Sequence, residues 1–120
     1  MGLGFKQKPA PRVDEAPFEM ANLHPKRTGL DFVVWISNRA GAAHDARIKV
    51  SEKANQAPQA VFRIRDGIDF VAGDDSWMSA RQKADLATWI SVNRAVLLTF
   101  WDSEDWDSQD AIGRLKKISA

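Results

Sequence analysis

The chain has 120 residues, 44% of them hydrophobic and 28% charged, with a net charge of +1; that suffices for one domain around a single modest core. No cysteine and only two histidines are present, which excludes disulfides and thiolate metal centres and leaves too few ligands for zinc, so neither a metal nor a cofactor is expected. No apolar run nears the roughly 20 residues that span a bilayer, and the opening MGLGFKQKPAPR lacks the apolar centre of a signal peptide, so the expected compartment is the cytoplasm, with no membrane partner.

Residues 1–29 hold Pro9, Pro11, Pro17 and Pro25 among mixed charges and show no period. They are expected to be a flexible N-terminal arm, with a single α+β domain over residues 30–120. From Leu30 the texture changes. Phe32, Val34 and Ile36 alternate with Val33, Trp35 and Ser37, the period of two that marks a strand. Residues 44–50 alternate again, with Ala46, Ile48 and Val50 on one side and Asp45, Arg47 and Lys49 on the other. Joining Asn38 to His44 across a five-residue loop sets Val34 opposite Ile48 and Trp35 opposite Arg47, with the apolar sets sharing a face.

A polar loop, SEKANQAPQ, leads into a second hairpin, AVFRIRDGIDFVA. A three-residue tip at Arg65-Asp66-Gly67 pairs Ile64 with Ile68 and Phe62 with Phe70, and places Gly67 in a left-handed bulge. A two-residue tip would set charges against apolar residues, so side-chain faces favour the longer one.

The segment SARQKADLATWISVNRAVLLTFW, Ser79 to Trp101, is the strongest helix. Leu86, Trp89, Ile90, Asn93, Val96, Leu97, Phe100 and Trp101 recur at steps of three and four, and Ser79 with Gln82 reads as a capping box. An acidic loop follows, then a short helix over Ser108–Ile118, with Asp110 near its start and Lys116-Lys117 near its end. The expected architecture is therefore α+β: a four-stranded antiparallel sheet of two hairpins, a long helix packed on one face, and a short terminal helix.

Two stretches carry a resemblance. HPKRTGLDFVVWISNRAGAAHDARIKVS and WISVNRAVLLTFWDSEDWDSQDAIGRLKKI resemble a group of small uncharacterised bacterial proteins. These read as a VWIS strand, an H-D-x-R-x-K-V-S strand and a closing helix W-I-x-x-N-R-x-x-L-x-x-x-W-D. The resemblance spans about residues 24–118 and departs at Ser103–Asp107, where the group has a shorter turn. It implies the α+β fold and brings no activity, cofactor or catalytic residue.

With apolar residues inward, Trp35, Arg47, Lys49, Arg63 and Arg65 share the outer face of the sheet, with Pro25-Lys26-Arg27 and Arg39 adding charge at its edge. A cationic face bearing an aromatic ring can stack a base and neutralise phosphates, as single-strand binders do. A solvated face, with arginine stems covering the tryptophan, stands beside that reading. His44-Asp45 suggests a base and its orienting acid, but neighbours on a strand point to opposite faces. The acidic run from Asp102 to Asp110 fails the calcium-loop pattern at its sixth and twelfth positions. Asn93 within the apolar helix face needs partners, since leaving it bare costs about 1–3 kcal/mol; a clamp on strand-end backbone or a contact lining a ligand cavity would supply them. Residues 1–65 carry 11 Lys and Arg against 6 Asp and Glu, and residues 66–120 carry 6 against 10. That split suits complementary halves of one fold, and also self-association or a polyanion. With no catalytic residue identifiable, the expectation is a non-catalytic binding or accessory protein acting through macromolecular contact. A protein partner, self-association and nucleic acid are all left open, and no motif carries an enzyme reading.

Overall fold

The computed structural model describes residues 20–119; residues 1–19 of the expected arm lie outside that range. The sheet has five strands where four were expected: β1 (Met20–Leu23), β2 (Val33–Ser37), β3 (Arg47–Ser51), β4 (Ala60–Arg63) and β5 (Asp69–Gly73). They follow one another in space as in sequence, and every pairing is antiparallel. The additional strand comes from the segment expected to be arm. Four residues are too few to display a period, but Ala21 and Leu23 pair with Ile36 and Val34 and continue their apolar face. One helical turn, α1 (Pro25–Thr28), follows, with proline at its start, where no N–H is needed, and Gly29 closing it at φ 85°. A side chain on Gly29 would run into the carbonyl of Ile118, so glycine is required there twice over.

The first central hairpin keeps its expected faces in a different register. Val34 lies opposite Val50 and Trp35 opposite Lys49, two residues from the expected pairing. A slip of two preserves which side chains point inward; a slip of one would not. The slip follows from a longer connection, residues 38–46, whose backbone bonds go elsewhere. Ala42 N–H donates to Arg39 O (2.8 Å) across Ala40 and Gly41, both left-handed (φ 47° and 84°), which makes a type I′ turn. Arg39 N–H then donates to Trp101 O (3.0 Å), anchoring the turn to the end of the long helix.

The second hairpin pairs Phe62 with Phe70 and Arg63 with Asp69, as expected, and a bulge at Val61/Phe62 shifts the pairing beyond. Gly67, however, is not left-handed. The tip is set instead by Arg94, whose Nε donates to Ile64 O (3.0 Å) and whose Nη2 donates to Gly67 O (3.2 Å). These charge-assisted bonds satisfy the tip carbonyls and remove the need for a bulge glycine.

Helix α2 (Ala80–Asp102) begins at the expected capping box, with Ser79 and Gln82 exchanging bonds of 2.8 and 3.0 Å. Of the expected face, Leu86, Trp89, Ile90, Asn93, Leu97, Phe100 and Trp101 are buried, and Val96 is half-buried. Leu86, Trp89, Ile90, Leu97, Phe100 and Trp101 form one core with Leu23, Phe32, Val34, Ile36, Ile48, Val50, Phe62 and Ile64. Each such side chain fully removed from water contributes about 1.5–3 kcal/mol. Helix α3 covers only Ser108–Ile112, shorter than the expected Ser108–Ile118. Past Gly113 the chain is drawn into backbone bonds with Asn93 and Thr28, which compete with helix propagation. Among the described residues no helix is long and apolar enough to cross a membrane.

Candidate functional site

Because Val34, Ile36, Ile48, Val50 and Phe62 face the helix, the intervening residues of β2, β3 and β4 face away from it. The outer face thus gathers Trp35, Arg47, Lys49 and Arg63 as the alternation predicts. Lys49 lies opposite Trp35, and Arg47 lies directly opposite Arg63. The half-buried Trp35 ring is fixed by its own N–H, which donates to Ser51 Oγ (3.2 Å). That bond draws the ring toward Val33 and Ser51, a cross-strand pair whose members are both buried although they sit on this outer side.

The cations differ in how they are held. Arg63 makes one long ion pair with Asp69 (3.6 Å), both side chains more than half exposed, and such pairs contribute little. Arg47 and Lys49 make no ion pair among the described residues. Arg65 does not join the group. It lies beyond the end of β4, where Nε donates to both Asp45 oxygens (2.8 and 2.9 Å) and Nη2 to Asp102 (3.2 Å). The Ala46 N–H and the Arg65 guanidinium together hold the Asp45 carboxyl below the usual aspartate range, and the two aspartates raise Arg65.

At the β2–β3 loop the face deepens into a cavity of about 100 Å³, walled by Met20, Trp35, Arg39, His44, Arg47 and Lys49, with Trp101 behind them. The His44 ring lies tilted by 34° against Trp101 with ring centres 5.4 Å apart, and its Nδ1–H donates to Asp45 O (3.0 Å). The Asp45 carboxylate is engaged by Arg65 and by Ala46 N–H, so it does not orient the imidazole. Arg39 therefore extends the cationic face as expected. Lys26 and Arg27 do not: they border a separate cavity of about 240 Å³ with Leu23, Trp89, Ile112 and Leu115. The part His44 plays in the wall was hidden in the sequence, because it depends on how the 38–46 loop folds against α2.

The other candidate residues resolve into structure. Asn93 Nδ2 donates to Trp89 O (3.0 Å) and Lys116 O (2.9 Å), and its Oδ1 accepts from Lys116 N–H (2.7 Å). It is a clamp, but on the C-terminal tail and not on a strand end. In the acidic segment Asp102 binds Arg65, while Asp107 and Asp110 exchange capping bonds at α3. Among the described residues no three acidic or histidine side chains group as a metal site. Trp77 packs edge-on against Phe32, and Trp106 lies under Arg114 at 4.5 Å. No known family, curated protein or solved structure matches the chain.

Proposed function

We propose that this is a small, non-catalytic binding protein of the bacterial cytoplasm, and that its partner is single-stranded nucleic acid held on the outer sheet face. One observation carries the reading: Arg47 and Arg63 are directly opposed across β3 and β4, with Lys49 beside them. Like charges in that position destabilise a sheet, and a polyanion lying across the strands would turn the repulsion into attraction. Trp35, cross-strand from Lys49 and tethered at its indole N–H, offers a ring on which a base can stack without losing further side-chain freedom. Stacking of that kind contributes about 1–3 kcal/mol per base and is indifferent to sequence.

The test is fluorescence anisotropy with a labelled single-stranded oligonucleotide at increasing salt. Three phosphates neutralised by Arg47, Lys49 and Arg63 give a log–log slope of about −2, roughly a twentyfold loss of affinity between 50 and 200 mM salt. Charge reversal in an Arg47→Glu, Arg63→Glu variant abolishes binding, and Trp35→Ala weakens it at every salt concentration. Affinity that ignores both salt and the charge reversal, or no binding at low salt, overturns the proposal.

A further inference from the structure

The cavity at the end of the cationic face has a chemistry of its own. We infer that it is a pocket for a terminal phosphate, so that the protein binds the phosphorylated end of a strand in preference to its interior. This rests on the single-strand reading above and adds to it a site and a ligand class.

Three cations, Arg39, Arg47 and Lys49, and the imidazole of His44 converge on a space of about 100 Å³. A water needs only about 10–15 Å³ by the same kind of measure, so the space admits a tetrahedral oxyanion. Of the groups walling it, Arg39 and His44 are exposed and Arg47 and Lys49 are half-buried. Arg39 has no ion pair among the described residues, and neither have Arg47 and Lys49. The acids that follow His44 and Trp101 in the chain, Asp45 and Asp102, are both bound by Arg65. One guanidinium offsets one of those two charges, and the three cations of the wall outnumber the one that is left.

The type I′ turn that presents Arg39 holds a strained residue. Ala40 is left-handed (φ 47°) and is the only non-glycine residue in that region among the described residues. Its turn is fixed at both ends, by Ala42 N–H on Arg39 O and by Arg39 N–H on Trp101 O. Strain retained in a rigid turn that aims a charged side chain into a cavity is a mark of a binding site.

The charge of the ligand follows from the same geometry. A phosphodiester inside a strand carries one negative charge, whereas a terminal phosphomonoester carries about 1.5–2 near neutral pH. The 38–46 loop and Trp101 supply the wall where β2 ends and β3 begins, so a strand running along β3 toward that end meets the loop there. An end carrying the doubly charged group gains most from three cations that make no ion pair among the described residues.

The experiment compares one oligonucleotide sequence in three forms, with a 5′-phosphate, with a 3′-phosphate, and with hydroxyls at both ends. One phosphorylated form is expected to bind about tenfold tighter than the hydroxyl form, the worth of one added charge-assisted contact. Arg39→Gln and His44→Ala bring the affinity ratio between the phosphorylated and hydroxyl forms to one, on top of any general weakening from a cation lost at the edge of the face. Arg39→Gln leaves the turn's backbone bonds intact, so a result does not hinge on the histidine that packs on Trp101. Equal affinity for all three forms, or variants that weaken all three alike, overturns the inference and leaves the single-strand reading standing. Failure of every form to bind overturns both.

Discussion

Asn93 shows what one polar side chain does inside an apolar helix face. Its amide meets three backbone groups, one on its own helix and two on Lys116, so it substitutes for a strand pairing that the tail does not otherwise have. Replacing it by leucine strands the Lys116 N–H and C=O beneath the tail, and we expect a loss of about 1–3 kcal/mol in urea unfolding. Amide exchange at Lys116 and Ile118 should accelerate more than at the α2 core, because the tail is released before the domain opens. An unchanged unfolding midpoint would refute the clamp. The need for a partner was legible from the position of Asn93 among Trp89, Leu97 and Phe100. Which partner was not, because helical spacing of Ala111, Ile112, Leu115 and Ile118 also fits a helix, and only tertiary competition for the Lys116 backbone decides between helix and extended tail.

The β2–β3 loop governs how the elements meet. Period two assigned every side chain of these strands to its face, since that depends only on parity. Register depends on loop length, and here the loop's backbone bonds go to Trp101 and within its own turn, which no strand pattern encodes. β1 was missed for a related reason: with four residues it has no period of its own and exists because β2 offers an edge. The type I′ turn has alanine where asparagine or glycine is favoured, and the left-handed conformation costs an ordinary residue about 1–2 kcal/mol. Ala40→Asn should therefore raise stability by about 1 kcal/mol, read as a shift of the unfolding midpoint at constant denaturant slope. A destabilised variant would mean that the alanine methyl is held by contacts beyond the turn itself.

At the scale of the whole molecule, Arg65 joins three places far apart in sequence: Asp45 before β3, the β4–β5 tip on which it sits, and Asp102 at the end of α2. The sequence showed Arg65 only as another cation of the outer face, since neither acid is near it along the chain. The junction also separates the charges: two acids are held to one cation at the edge, and the outer face keeps Arg47 and Lys49 free for a ligand. It has a pH signature. The Asp45 carboxyl lies below its ordinary value of 3.8 through the Ala46 N–H first and Arg65 second, so the folded state binds its proton less readily than the unfolded chain. Its stabilisation is fully present above the unfolded value and is lost as pH falls from about 3.8 through the lower folded value. Asp74 is lowered as well, by Ser76, so acid weakens the protein through more than one group and the wild-type melting temperature alone does not isolate Asp45. The difference between wild type and Asp45→Asn does. That difference should be constant from pH 7 down to about 5, shrink through the region below 3.8, and vanish once both states are protonated. A gap that persists at the lowest pH would mean that the neutral side chain, and not its charge, holds the loop to Arg65.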